Sequence, residues 1–157
     1  MEDSTLMYRY RVEVTRVVDG DTVDVDVDLG FGMTYKKQRV RMVEIDTPES
    51  RTRDLEEKFY GKQSKYFLES LLLGKEVQLL SHDKGKFGRI LGELFIKDLD
   101  LEIQNGLIIN YEGNVNKMMV DNYHAVPYYG GNKEETKKHH LANRKVLNEQ
   151  GIIYEKK

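Results

Sequence analysis

The segment Arg41-Met-Val-Glu-Ile-Asp46-Thr47-Pro48-Glu49 places a guanidinium, a carboxylate, a turn carbonyl and a second carboxylate within nine residues. Phosphodiester chemistry needs that set of groups. A hard cation takes carboxylate and carbonyl oxygens. A phosphate takes a bidentate guanidinium. An attacking water takes a carboxylate that is not tied up on a metal. The segment reads as the end of a strand running into a tight turn, with Arg41 and Val43 on one face and Met42 and Glu44 on the other. Pro48 then stops the ladder, because it has no N–H to give.

Other segments supply what this one lacks. Asp19-Gly20-Asp21-Thr22 has two readings: an ordinary Asp-Gly hairpin turn, or a turn that opens the second strand and aims the Asp21 carboxylate at Asp46. Lys86-Phe87-Gly88-Arg89 is either a basic turn between strands or the start of a strand that sets Arg89 opposite Arg41, so that two guanidiniums hold one phosphate. Tyr128 and Tyr129, next to Gly130-Gly131, are loop anchors on the core or platforms on which a base stacks. Asp24, Asp26 and Asp28 fail the EF-hand pattern, because neither its Gly nor its closing Glu falls at the required loop position, and they read as a solvated strand face. His82, His124, His139 and His140 lack metal-ligand spacing; the last two read as solvated on a polar helix.

These groups must be positioned by a folded domain. The 157 residues suit one domain with a real core, spanning residues 1–157 with its core over about 8–150. Alternation marks a strand from Tyr8 to Val18 and a clearer one from Asp21 to Leu29, where Val23, Val25, Val27 and Leu29 share a face. A third strand from Lys36 to Ile45 completes a meander. A helix follows from Leu55 to Leu73, with Phe59, Phe67, Leu68, Leu71 and Leu72 as its apolar stripe and Gly74 beyond its end. Strands at Glu76–Ser81 and Arg89–Ile96 come next, then helices over Val115–Tyr123 and Lys133–Gln150. The order predicts an α+β fold: a five-stranded antiparallel OB-type β-barrel with about three α-helices.

Composition narrows the function. With no Cys there is no disulfide framework, thiol nucleophile or cysteine metal site. A formal net charge of −2 means that nucleic-acid contact must come from a local patch. The polar N-terminal stretch has no apolar run of signal-peptide length, so a cytoplasmic location is expected, with no membrane association. A monomer without a stable protein partner is the expected state.

Asp-Gly-Asp-Thr, then Arg-x4-Asp-Thr-Pro-Glu, then Lys-aromatic-Gly-Arg, in this order around a barrel-like strand pattern, resembles the staphylococcal (micrococcal) nuclease family from about Tyr8 to Gln150. The resemblance implies a calcium-dependent nuclease acting on DNA and RNA and leaving 5′-hydroxyl and 3′-phosphate ends. It implies that Asp21, Asp46 and the Thr47 carbonyl hold one Ca2+, although the donor set also suits Mg2+ or Mn2+. It implies that Glu49 is the general base or orients the attacking water, that Arg41 and Arg89 grip the scissile phosphate, and that Lys86 touches the nucleotide's terminal phosphate. Phe87 stands where the family often has Tyr, so a hydroxyl contact is lost and stacking or packing remains. Tyr129 corresponds to a base-stacking tyrosine. The Leu29–Tyr35 hairpin is longer than in the family's best-known member, and Leu101–Asn114 reads as an insertion. An unexported nuclease suits a viral or mobile-element gene, or a regulated repair role. The alternative readings are a nuclease-like barrel that binds nucleic acid without cutting it, and a plain OB-type interaction module whose motifs are turns.

Overall fold

The computed structural model describes residues 8–84, 88–96 and 113–156. Paired valines build its first sheet. Strands β1 (Tyr8–Asp19), β2 (Thr22–Gly30) and β3 (Met33–Met42) form the expected antiparallel meander. Val12 faces Val27, Val14 faces Val25 and Val17 faces Val23, and all six are buried. Each such β-branched pair contributes roughly 0.2–1 kcal/mol beyond alanine. A register shift between Val14 and Arg16 leaves both Thr15 and Arg16 exposed and returns Val17 to the core. That bulge lets one strand keep an apolar face past a break in strict alternation.

The third strand does not run on to Ile45. It stops at Met42, and Val43 and Glu44 turn the chain, with Glu44 at a left-handed φ of 64°. The backbone restarts as β4 (Ile45–Asp46), which pairs with β8 (Val126–Pro127) in a separate two-stranded ribbon. Val43 therefore does not share a strand face with Arg41, as simple alternation predicts.

β5 (Glu76–Lys84) pairs with β1 and with β6 (Ile90–Ile96), and the short β7 (Gly113–Asn114) extends the edge. The barrel closes where β3 meets β6, Val40 opposite Ile90 and Met42 opposite Gly92. That seam is parallel, which corrects the all-antiparallel expectation; β1, β2, β3, β5 and β6 form the five-stranded wall. The physical reason is the connection. Between β3 and β6 the chain has room for a helix and a whole strand, enough to return in the same direction.

Helix α1 (Leu55–Leu72) starts at an Asp54 cap, whose carboxylate accepts from the N–H groups of Glu56 and Glu57 at 3.1 Å. Its fully buried leucines are Leu68 and Leu72, which join the core of Met42, Leu79, Leu94 and the valines. Burial of each leucine contributes about 1.5–3 kcal/mol. Its other buried positions are Tyr60, Gly61 and Ser64, while the expected Phe59, Phe67 and Leu71 are only partly covered. Helix α2 (Val115–Asp121) adds Val115 and Met119 to the core, and α3 (Lys133–Glu149) buries only Leu147. Lys86, Phe87 and most of the expected 101–114 insertion lie outside the described residues.

Candidate active site

Three segments converge beside the β1–β2 turn. The turn carries Asp21, whose backbone carbonyl accepts from Met42 N–H at 2.8 Å. The second is the Arg41–Asp46 segment, and the third is the Thr47–Arg51 loop. Two small residues on α1 and the turn allow this approach. A Cβ on Gly61 would lie 2.4 Å from the Glu49 carbonyl oxygen, and one on Gly20 would lie 2.7 Å from the Ser64 Cβ. Ser50 Oγ donates to Asp19, and Arg51 Nη2 lies 3.8 Å from the same carboxylate, which fixes the loop to the turn.

Arg41 is the hub. Its Nη1 donates to the Met42 carbonyl and its Nη2 to the Ile45 carbonyl at 2.9 Å, so the guanidinium clasps the strained turn at Glu44. Tyr128 N–H holds the Glu44 carbonyl at 2.8 Å from the other side. Arg41 Nη2 also lies 3.3 Å from Asp21 Oδ2 and 3.9 Å from Asp46 Oδ1. A guanidinium has five N–H groups. Among the described residues nothing takes those at Nε and one at Nη1, which can meet a further anion.

The carboxylates crowd one another. Burial pushes the Asp21 carboxyl above its ordinary range, Asp46 adds to the push, and Arg41 and the hydroxyls of Thr22 and Thr47 pull it back. Thr22 Oγ1 donates to Asp21 Oδ1 at 2.8 Å. Glu49 is exposed, yet loss of hydration, followed by repulsion from Asp21, Asp19, Asp46 and Glu57, also pushes its carboxyl up. Such an excess of negative charge around one guanidinium fits a cation. Among the described residues no three His, Asp or Glu side chains converge to cage a metal by themselves. Two carboxylates, a carbonyl and waters form a donor set that suits a hard divalent ion.

Asp21, Arg41 and Asp46 are thus brought together, with Thr47 buried next to them and Glu49 within their electrostatic reach. Arg89 comes to the same stretch of β3, one residue before the Ile90–Val40 pair. Its side chain, however, lines a hollow with Asp24 and Arg39 rather than the one lined by Arg41 and Asp46. Its Nε is buried with no hydrogen-bond partner among the described residues. Tyr129 lines a third hollow with Glu44 and Asn116, and Tyr128 is the tyrosine that shares the hollow of Arg41.

One expectation fails outright. His140 is not solvated: its Nε2 lies 2.8 Å from Asp46 Oδ2, and the ring is mostly covered. Asp24 and Asp26 are likewise held, by the Arg39 side chain and the Lys37 N–H. His124 is structural, buried against Phe67 at 4.6 Å and kept neutral by that burial. Alongside Asp46 and Arg41, a cavity of about 560 Å³ is lined by Tyr128, Lys133, Lys137 and His140. The sequence carried a signal for three of these: positions 133, 137 and 140 share one face of a helix with a 3.6-residue period.

The model of the family described as "Staphylococcal nuclease homologue" matches residues 39–149. An Escherichia coli protein named as an uncharacterized endonuclease is 36% identical over 85 residues, covering 54% of this chain and 48% of that one. A micrococcal nuclease of Shigella flexneri is 34% identical over 86 residues, 55% of this chain and 42% of its own. A thermonuclease of Staphylococcus hyicus is 34% identical over 86 residues, 54% and 47%. The chain is matched over less than half the length of each of these relatives.

Proposed function

Because the chain belongs to the family of staphylococcal nuclease homologues, we propose that it hydrolyses phosphodiester bonds of DNA and RNA with Ca2+ held by Asp21, Asp46 and the Thr47 carbonyl. The observation that carries this reading is that Arg41 lies within 3.9 Å of both Asp21 and Asp46, with the Glu49 carboxylate in their electrostatic reach. The bound cation supplies Lewis-acid polarisation of a phosphate oxygen. The chain's own groups do the rest. Glu49 orients a water and takes its proton as the oxygen bonds to phosphorus. The free N–H groups of Arg41, and those of Arg89 once its side chain turns toward the same phosphate, meet the growing equatorial charge. The bond from phosphorus to the 5′ oxygen breaks, that oxygen takes a proton from water, and the products carry 5′-hydroxyl and 3′-phosphate ends. Lys86 and Phe87 complete the phosphate and nucleotide contacts, and Tyr129 stacks on a base.

Labelled single-stranded DNA should be cut with added calcium and spared in excess chelator, with those end groups on the products. Glu49→Gln should lose cleavage while still binding DNA. Equal digestion in chelator overturns the metal, and wild-type binding without cutting makes the protein a non-catalytic nucleic-acid module.

A second measurement reads the metal without turnover. Asp21 has its folded-state value above the unfolded one, so its contribution is fully present at acid pH and is lost as pH rises through the carboxylate range. Above that range the ionised group works against the fold. Asp21→Asn should therefore melt higher than wild type in chelator at neutral pH and gain nothing from calcium, whereas wild type gains. Thermal melts with and without calcium test both halves.

A further inference from the structure

We propose that the face of α3 carrying Lys133, Lys137 and His140 binds the sugar–phosphate backbone of a single nucleic-acid strand next to the bond being cut. The inference deepens the nuclease reading and rests on it for the identity of the ligand. These side chains line one cavity with Arg41 and Asp46, so anything bound there continues into the phosphate site. Lys133 and Lys137 are exposed and have no ion-pair partner among the described residues. One helical turn separates them, an axial step of about 6 Å, so they offer cations in a row rather than at a point. Arg144, on the same face, does not contribute: it stacks on Tyr60 at 5.1 Å and faces Glu56 at 3.7 Å.

The part of the lining that comes from α1 and its cap carries Asp54 and Glu57, of which Asp54 already caps α1. A polyanion is repelled from that side and runs along α3. Tyr128 and Leu141 give bases an apolar surface in the same hollow. A hollow of about 560 Å³ has room for nucleotides of one strand. Among sequence features, net charge concealed this face: the acidic residues Glu134 and Glu135 lie in the same first turn but do not line the cavity.

The test is binding of a labelled single-stranded dodecamer in chelator, where no cutting occurs, by fluorescence anisotropy. Lys133→Ala/Lys137→Ala should weaken binding roughly tenfold, and the slope of log Kd against log salt should become shallower by about 1.4. Lys138→Ala/Lys145→Ala removes the same charge from positions off the cavity and should change Kd by less than about twofold. Melting curves confirm that each variant folds. No loss in the first pair, or equal loss in both, overturns the groove. The same dependence with a blunt duplex overturns its single-strand character. A wild type that binds in this way but does not cut with calcium upholds the groove and overturns the hydrolase reading. A wild type that cuts, with binding indifferent to Lys133 and Lys137, does the reverse.

Discussion

Arg41→Lys is expected to lower kcat on single-stranded DNA by about 10²–10³, which corresponds to about 2.7–4 kcal/mol of lost transition-state stabilisation. Lysine keeps the charge but loses the planar fork. In this protein the loss is double. Arg41 simultaneously holds the Met42 and Ile45 carbonyls and faces Asp21 and Asp46. A single ammonium cannot reach both carbonyls and still present N–H groups to a phosphate. The strained turn at Glu44 loses its clasp, and Asp46, the next residue after Ile45, shifts with it. Steady-state rates on one oligonucleotide, with a thermal melt to separate misfolding from chemistry, check this. Near-full turnover by the lysine variant removes Arg41 from the reaction.

Gly61→Ala is expected to destabilise the protein and to slow cleavage, although alanine is the better helix former. The helix gain is about 1 kcal/mol. Against it stands a methyl group 2.4 Å from the Glu49 carbonyl oxygen and 2.7 Å from the Ser50 N. Those are backbone atoms, so no side-chain rotation relieves the clash; α1 or the loop must move. Overpacking of this kind costs about 1–3 kcal/mol, so the clash wins. The atom displaced belongs to Glu49, so kcat should fall further than KM rises. Denaturant melts and steady-state kinetics on the same preparation read the two effects. A variant that is more stable than wild type and equally active shows that the α1–loop contact does not set the position of Glu49.

Local pattern was readable wherever a residue's neighbours in sequence are also its neighbours in space. The valines of β1 and β2 alternate because one face is wet, and their meander follows from short turns. The ends of α1 and α3 follow from Gly74 and Gly151, each just past the last turn at a positive φ. The Asp-Gly-Asp-Thr and Arg-x4-Asp-Thr-Pro-Glu motifs do meet in space. What stayed hidden was contact between distant parts of the chain. Alternation tells which face a strand buries but not which strand closes the barrel, so the parallel β3–β6 seam was invisible. Gly61 and Ser64 have no apolar surface to register in a hydropathy pattern, yet they are part of the buried face of α1. His140 reads as polar on a polar helix; its partner Asp46 is 94 positions away. Arg89 reaches β3 one residue before the Ile90–Val40 pair, while Leu91, not Arg89, stands opposite Arg41; a parallel register is not readable from alternation.

The ribbon that holds Asp46 has a bearing on how the protein is made. Ile45–Asp46 borrows its strand partner from Val126–Pro127, and the Asp46 carboxylate borrows an imidazole from α3. Synthesis runs from the amino end, so a ribosome carries a finished Asp21 and Arg41 well before residue 140 leaves the exit tunnel. A nascent chain that has made Asp46 must add 94 more residues before that carboxylate meets its imidazole. Until then the acidic cluster stays half-assembled, its Asp46 carboxylate without the imidazole it meets in the finished fold.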